Sequence, residues 1–490
     1  MKKVIVIGSG VAGLATAVRL RNAGFAVDVF EANSYPGGKL SQLHSGAYRF
    51  DAGPSLFTMP QFVDELFTIC GKDPRAYFDY LKKDIVCRYF YEDGTRFTAY
   101  ANAQDFAHHA EEVFDVKKQQ VLNYFAKSKK KYDLTAPLFL EKSLHRLSTY
   151  LNKETIKALA RLGSLDIYST LHEVNTASFS DTRLVQLFNR FATYNGSSPY
   201  LTPGIMSMIP HLEQYFGTFF PKKGMNDITM SIYKLAKELG VNFQFDHRVS
   251  EILIEGSEVS GIKTENGIFH ASIVVSNMDV VPTYRTLLKT QKAPEKILRQ
   301  ERSSSALIFY WGIKKEFPEL DLHNIFFSAD YEKEFACIFN ENRIYHDPTV
   351  YINISSKEKP DDAPPGSEAW FVMINAPGNK GQDWERMVTE ARKSIIKKLS
   401  SLLKTDIASL IETEEVLSPP HIEEKTASFQ GSLYGAASNN RYAAFLRHPN
   451  FSQHIKNLYF CGGSVHPGGG IPLCLLSGKI VSQLVTKKHL

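Results

Sequence analysis

Lys3-Val4-Ile5-Val6-Ile7-Gly8-Ser9-Gly10-Val11-Ala12-Gly13 begins the stretch whose reading decides the fold. Residues 3–7 read as a buried parallel strand, because an apolar, β-branched run bounded by glycine suits a strand covered on both faces. Leu14 to Asn22 continue with helical periodicity, Gly24 marks the helix end, and Ala26-Val27-Asp28-Val29-Phe30 reads as a second strand closing on Glu31. Each glycine of the G-x-G-x-x-G spacing has a physical role. Gly8 makes the tight turn, Gly10 lets backbone approach a pyrophosphate, and Gly13 lets the helix pack on the strand. Ser9, Val11 and Ala12 complete that turn, and the helix N-terminus offers N–H donors and positive potential to phosphates. Glu31, eighteen residues beyond Gly13, can accept hydrogen bonds from both ribose hydroxyls and would repel a 2′-phosphate. The fold class is therefore α/β, with a Rossmann-type dinucleotide turn at its start.

The segments that follow indicate which dinucleotide. Ser34-Tyr35-Pro36-Gly37-Gly38-Lys39-Leu40 stands where a plain NAD domain usually proceeds to its next helix; two glycines and a base suggest a loop wrapping a longer ligand. Phe50-Asp51-Ala52-Gly53-Pro54-Ser55 is another turn where backbone can approach a cofactor. Near the other end, Asn457-Leu458-Tyr459-Phe460-Cys461 reads as a strand and runs into Gly462-Gly463-Ser464-Val465-His466-Pro467-Gly468-Gly469-Gly470-Ile471-Pro472, then an apolar helix from Leu473 to about Thr486. Pro472 suits a first helical turn, where a missing N–H costs nothing. Thr218-Phe219-Phe220-Pro221-Lys222-Lys223-Gly224-Met225 precedes a helix from Ile228 to Leu239, a strand at 241–245, and a hairpin whose Asn266-Gly267 pair signals a type I′ turn before a return strand at 271–277.

In that order the motifs resemble those of FAD flavoproteins of the amine oxidase and carotenoid desaturase superfamily, and H-P-G-G-G-I-P-L-x-L-L-S-G is similar to the closing signature of phytoene-desaturase-type enzymes from bacteria. The resemblance implies a glutathione-reductase-type FAD-binding Rossmann domain with an inserted mixed-sheet substrate domain and a helical membrane-facing region. It implies FAD as cofactor, held by Gly8, Ser9, Gly10, Val11, Ala12, Gly13 and Glu31 on the ADP half. Gly38, Lys39, Leu40, Gly53, Pro54, Ser55, Gly463, Gly470 and Ile471 follow on the ribityl and flavin half, and backbone at Val249 holds the adenine. The helix N-terminus after Gly470 would favour an anionic reduced flavin. Lys223 departs from the family, which usually has glycine there.

The resemblance further implies a carotenoid desaturase, in which hydride leaves an allylic carbon and the residual cation is delocalised along the polyene. Such chemistry needs orientation and an apolar tunnel more than a tuned acid–base pair. Catalytic residues are accordingly unassigned, with His466 the single candidate and a backbone-positioning role beside Pro467 as its alternative. The run from Glu31 to Leu40, with residues 50–60, looks closest to carotenoid 3,4-desaturases acting on 1-hydroxylated acyclic ends. A terminal hydroxyl would need a polar contact in the tunnel, for which the Asn and Tyr residues of 189–200 are candidates. Phytoene desaturases, isomerases and terminal oxygenases share the motifs. Two other classes stay open: an amine-oxidising flavoenzyme, which usually closes with a different C-terminal signature, and a non-catalytic lipid-binding relative, which would be expected to lose one glycine-rich segment.

Composition bounds the rest. The chain has 490 residues, 43% hydrophobic and 22% charged, with a net charge of +5 that argues against a nucleic-acid partner. The five cysteines show no metal spacing, and no H-E-x-x-H or zinc pattern occurs, so no metal is expected. No leader precedes the first strand and no apolar run is long enough to span a bilayer, which reads as a cytoplasmic protein resting peripherally on the inner face of a membrane. The expected layout is discontinuous: FAD-binding pieces at 1–75, 221–290 and 450–490, a helical, membrane-associating region at 76–220, and a β-sheet substrate region at 291–449. Tyr124 to Lys131, with the apolar stretches 136–140 and 144–147, reads either as a membrane-surface face or as an ordinary solvated helix. Residues 305–313 and 369–375 are strong β runs expected to form an antiparallel sheet flooring a pocket, with 361–366 as a solvated loop between strands. His108-His109 falls on an exposed helix and is expected to bind nothing. No second nucleotide motif appears, so a quinone or oxygen is the expected electron acceptor.

Overall fold

The computed structural model describes residues 1–139, 145, 165–440 and 446–490, the side chains of 137–139 excepted. Its first layer is a five-stranded, all-parallel sheet in the order Leu458–Phe460, Ile273–Ser276, Lys3–Ile7, Ala26–Phe30, Asn242–Gln244. The alternation of a strand buried on both sides explains why Val4-Ile5-Val6-Ile7 reads as unbroken apolar sequence. Val4 and Val6 join a core with the helices Val11–Asn22, Asn226–Glu238 and Ile471–His489, while Ile5 and Ile7 join a second core beneath the meander Val249–Glu255, Glu258–Thr264, Gly267–His270. The last helix crosses the first at close range: a Cβ on Gly478 would stand 3.0 Å from the Ala12 carbonyl.

The meander departs from expectation at its tip. Thr264 pairs with Gly267, so Glu265-Asn266 makes the turn, and of these positions only Gly267 has positive φ (130°). A type I′ turn needs positive φ at both central residues, so Asn266-Gly267 does not form one.

The second layer is a seven-stranded mixed sheet in the order Ile411–Leu417, Ser305–Ile313, Glu368–Ala376, Val350–Ile354, His323–Phe326, Ile85–Phe90, Arg96–Tyr100. Both strong β runs lie at its centre, paired antiparallel over nine residues. The sheet is not purely antiparallel, because Ile85–Phe90, far earlier in the chain, adds parallel to His323–Phe326.

Arg49 ties the layers together. It reaches Asp51 (2.7 Å) and Asp362 (3.1 Å), and Asp51 also accepts from the backbone N–H of Met225 (2.8 Å) and Asn226 (3.0 Å) at the start of the helix Asn226–Glu238. Asp362 is therefore wholly buried rather than part of a solvated loop, because its carboxylate answers a buried guanidinium. Gly224 lies directly under Arg49, where a Cβ would meet Nη1 at 2.5 Å, whereas Lys223 is exposed and without positive φ, so losing the usual glycine there is harmless.

Lys131 corrects the basic-face reading. Tyr124, Ser128, Lys131 and Thr135 follow one another at i, i+4, i+7 and i+11 and form the inner stripe of the helix Lys118–Phe139. Lys131 ion-pairs with Asp166 and donates to Ser207 Oγ (2.5 Å each), so of the basic cluster only Lys127, Lys129 and Lys130 face solvent. Of the apolar stretches around 136–147, residues 140–144 and 146–147 lie outside the described residues. Asp51→Ala would strand Arg49 as a buried charge and remove a helix cap; a loss of about 3 kcal/mol in stability, read from the unfolding midpoint, is expected.

Candidate active site

A cavity of about 740 Å³ begins at the first glycine turn, passes between the two layers, and ends against the seven-stranded sheet. Of the predicted site residues, Gly8, Gly10, Val11, Ala12, Glu31, Gly38, Lys39, Leu40, Gly53, Pro54, Ser55, Val249, Gly463, Gly470 and Ile471 line it. Residues of the first 55 positions, of 249 and of 463–471 thus meet on one space.

Gly8 has φ 94° and donates its N–H to Phe30 (2.7 Å), closing the turn between the first two strands. Gly13 lies outside the cavity lining and serves packing: a Cβ there would stand 2.2 Å from the Gly8 carbonyl. Ser9 also acts indirectly. Its N–H and hydroxyl both donate to Glu31 Oε2 (2.8 Å each), while Oε1 accepts from the N–H (2.9 Å) and side chain (3.0 Å) of Asn33. Two of these four donors are backbone groups, so the carboxylate is held at the cavity wall whatever else it binds. The glycine loops interlock: Gly37 donates to the Ser9 carbonyl (2.9 Å), and Gly38, with φ 58°, lies against Gly10.

Lys39 is half-buried and donates to the carbonyls of Ser432 (2.9 Å) and Leu433 (3.0 Å). Burial pushes its ammonium down to about 8, against the pull of nearby Asp279. Gly53 is pressed onto this lysine, since a Cβ would collide with the Lys39 carbonyl at 1.7 Å. Gly470 (φ 102°) precedes the helix Ile471–His489, whose first residues Ile471 and Pro472 line the cavity, so that the helix begins at its wall. His466 does not line the cavity. It is buried, and its backbone carbonyl accepts from Asn450 Nδ2 (2.7 Å) and Ser477 Oγ (3.0 Å). His109 stacks on Phe97 and bonds the Thr98 carbonyl, which occupies it structurally.

Sequence reading missed several residues here. Asn277 accepts from the Gly13 N–H (3.1 Å) and donates to the Cys461 carbonyl (3.2 Å), joining the first and last cofactor segments. Its place directly after a β run, at a strand's C-terminal end, was the available signal. Tyr434 and Gly435 pack on the closing glycine run, where a Cβ on Gly469 would meet Tyr434 at 2.8 Å. Arg447 secures that contact by donating to the Tyr434 carbonyl (2.6 Å), and burial lowers its guanidinium to about 10. No motif marked either residue. Among the described residues there is no group of side chains suited to a metal ion.

The arrangement fits FAD: a dinucleotide turn with a fixed acid, a glycine-lined middle and a helix N-terminus at the far side, with Gly10, Gly13 and Gly53 so closely packed that a Cβ would collide with protein atoms. Comparison with known proteins agrees. Residues 11–486 match the family described as flavin-containing amine oxidoreductase, and the chain belongs to that family. It is an FAD-dependent oxidoreductase of that family's α/β fold. A 1-hydroxycarotenoid 3,4-desaturase of Flavobacterium sp. (strain P99-3) is 57% identical over 99% of both chains. A 4,4'-diapolycopene oxygenase of Methylomonas sp. is 34% identical, covering 99% of this chain and 98% of its own. A structure of putrescine oxidase, 14% identical, superposes with a TM-score of 0.65 over 99% of each chain and shares the fold.

Gly10→Val is expected to abolish flavin retention, because its Cβ position lies 2.8 Å from Asn277 Oδ1 inside the turn. Glu31→Ala should weaken FAD affinity by about tenfold, the loss of one to two charge-assisted hydrogen bonds. The flavin-to-protein absorbance ratio after gel filtration reads both.

Proposed function

We propose that this chain is a desaturase that introduces a double bond at the 3,4 position of a carotenoid carrying a 1-hydroxylated acyclic end. The observation that carries this is end-to-end identity of 57% with an enzyme so named, against 34% for the diapolycopene oxygenase. The cavity supports it, since beyond the glycine segments its walls include Ile308, Ile325, Phe371 and Met373, an apolar bed suited to a polyene. When bound, FAD supplies the acceptor for the hydride leaving an allylic carbon. The chain's own contribution is to orient the polyene, exclude water and leave the proton of the delocalised cation to a weak base. A quinone or oxygen then takes the electrons. The predicted FAD contacts, the glutathione-reductase-type subdivision and the boundaries at 75, 220, 290 and 450 belong to the same proposal.

A terminal oxygenase is the second reading, favoured by the 34% relative. Incubating the FAD-loaded protein with a 1-hydroxycarotenoid and separately with phytoene distinguishes them. The expected result is a red-shifted spectrum and a product lighter by two hydrogens from the hydroxylated substrate, and no reaction with phytoene. A product heavier by one oxygen would favour the oxygenase.

Among the described residues no helix is long and apolar enough to cross a membrane. We further propose that the protein docks peripherally on the cytoplasmic face of a membrane, where a hydrocarbon substrate resides. Lys127, Lys129 and Lys130 are exposed, and Lys129 Nζ stands 5.5 Å over the ring of Tyr215, which is itself 61% exposed, so charge and aromatic surface coincide. Neutralising these three lysines is expected to reduce flotation with anionic liposomes at least about tenfold, at roughly 1 kcal/mol per lysine.

A further inference from the structure

We infer that the polar wall formed by Ser55, Tyr351, His323, Arg190, Tyr194 and Glu213 is the site that recognises the hydroxyl at the reacting end of the substrate. This rests on the desaturase reading and deepens it by naming the residues that select the hydroxylated end. All six line the same cavity as the cofactor segments, and five of them come from parts of the chain that no cofactor motif touches.

The wall is costly to build and lacks a partner. Arg190 and Glu213 are an ion pair at 3.5 Å whose side chains are 11% and 4% exposed, and Tyr194 donates its hydroxyl to the same Glu213 oxygen. Arg190 is also packed on the rings of Phe191 (4.7 Å) and Tyr89 (5.5 Å) and donates to the Tyr89 hydroxyl (2.8 Å). Burial raises the Glu213 carboxyl, against the pull of Arg190. A hydrocarbon end laid against such a pair would leave it desolvated with no added partner, so a purely apolar substrate gives no reason to keep it. Two buried polar atoms in this wall have no hydrogen-bond partner in the protein: Arg190 Nε and His323 Nε2. A hydroxyl offers one donor and two acceptor lone pairs, so it can donate to the Glu213 carboxylate and accept from the Arg190 guanidinium of the same pair. Glu213 also sits in the π-helical turn Leu212–Phe216, a local distortion frequent at functional sites.

The position suits the reaction. In a 1-hydroxylated end only two carbons separate the oxygen from C3, so whatever holds the hydroxyl must stand beside the place where C3 and C4 react. Ser55 lies two residues beyond Gly53, which is pressed onto Lys39 in the cofactor wall. From Ser55 a chain of contacts runs through the Tyr351 hydroxyl (2.8 Å) to His323 Nδ1 (2.8 Å), reaching from the cofactor loop toward the Arg190 cluster. Burial holds His323 at about 3, so its ring stays neutral and keeps one nitrogen able to accept or donate.

The test compares kcat/KM of the purified holoenzyme on a 1-hydroxylated acyclic carotenoid and on its non-hydroxylated counterpart, for the wild type, E213Q and Y351F. The wild type is expected to prefer the hydroxylated substrate, and each variant to lower that preference at least about tenfold, the loss of one buried hydrogen bond. Flavin content and melting temperature, read in parallel, identify a variant that has simply misfolded; Y351F, which removes one oxygen, decides the matter if E213Q does not fold. An unchanged preference in the folded variants, or no preference in the wild type, overturns the inference while leaving the desaturase reading intact. Failure of the wild type to desaturate either substrate overturns that reading and the inference with it.

Discussion

The side-chain amide of Asn277 is the contact on which the cofactor cavity depends. It accepts from Gly13 in the first helix and donates to Cys461 beside the last strand, so one planar group fixes the spacing between segments far apart in the chain. The fit is tight on all sides. A Cβ on Gly10, Gly13 or Gly462 would approach this amide to 2.8, 2.9 and 2.6 Å, so the glycines of both terminal motifs are required by a neighbour as much as by a ligand. The absent side chains at these three positions are what admits the amide between the segments.

Around that point the two layers divide the work. The parallel sheet, with its acid at Glu31, gives the cavity a polar, hydrogen-bonding end; the mixed sheet gives it side chains such as Ile308 and Phe371. The Arg49–Asp51–Asp362 cluster holds the layers in register, because one carboxylate caps a helix of the first layer while the other belongs to a turn of the second. A shift of either layer would therefore expose an unpaired buried charge, an outcome far costlier than loosening an apolar contact.

What could be read from sequence was whatever repeats a local rule. The turn at residues 8–13, the acid at 31 and the glycine run at 468–470 each carry their function in spacing alone, and the cavity gathers most of those residues. The strands at 305–313 and 369–375 were equally plain, since β-branched and aromatic runs leave few other options. Long-range partners were not readable. Nothing near Ile85–Phe90 indicates that it pairs with His323–Phe326, and nothing near Asp362 indicates a buried arginine more than three hundred residues earlier. Lys131 looked like one more member of a basic run, because the charge pattern of the helix does not reveal that Asp166 waits on its inner side. The polar wall around Arg190 and Glu213 was visible only as a vague need for a polar contact in residues 189–200, since the carboxylate that completes it lies outside that window.

The order of strands in the parallel sheet has a consequence for how the protein comes into being. Leu458–Phe460 forms one edge and pairs with Ile273–Ser276, which in turn pairs with Lys3–Ile7. A ribosome therefore delivers the first strand and its neighbour Ala26–Phe30 long before Ile273–Ser276, Leu458–Phe460 and the helix Ile471–His489 that completes their cover. Until then Val4, Val6 and Leu14 have no permanent cover. Contacts so distant in sequence make for slow closure and a nascent chain that exposes sticky surface while it grows.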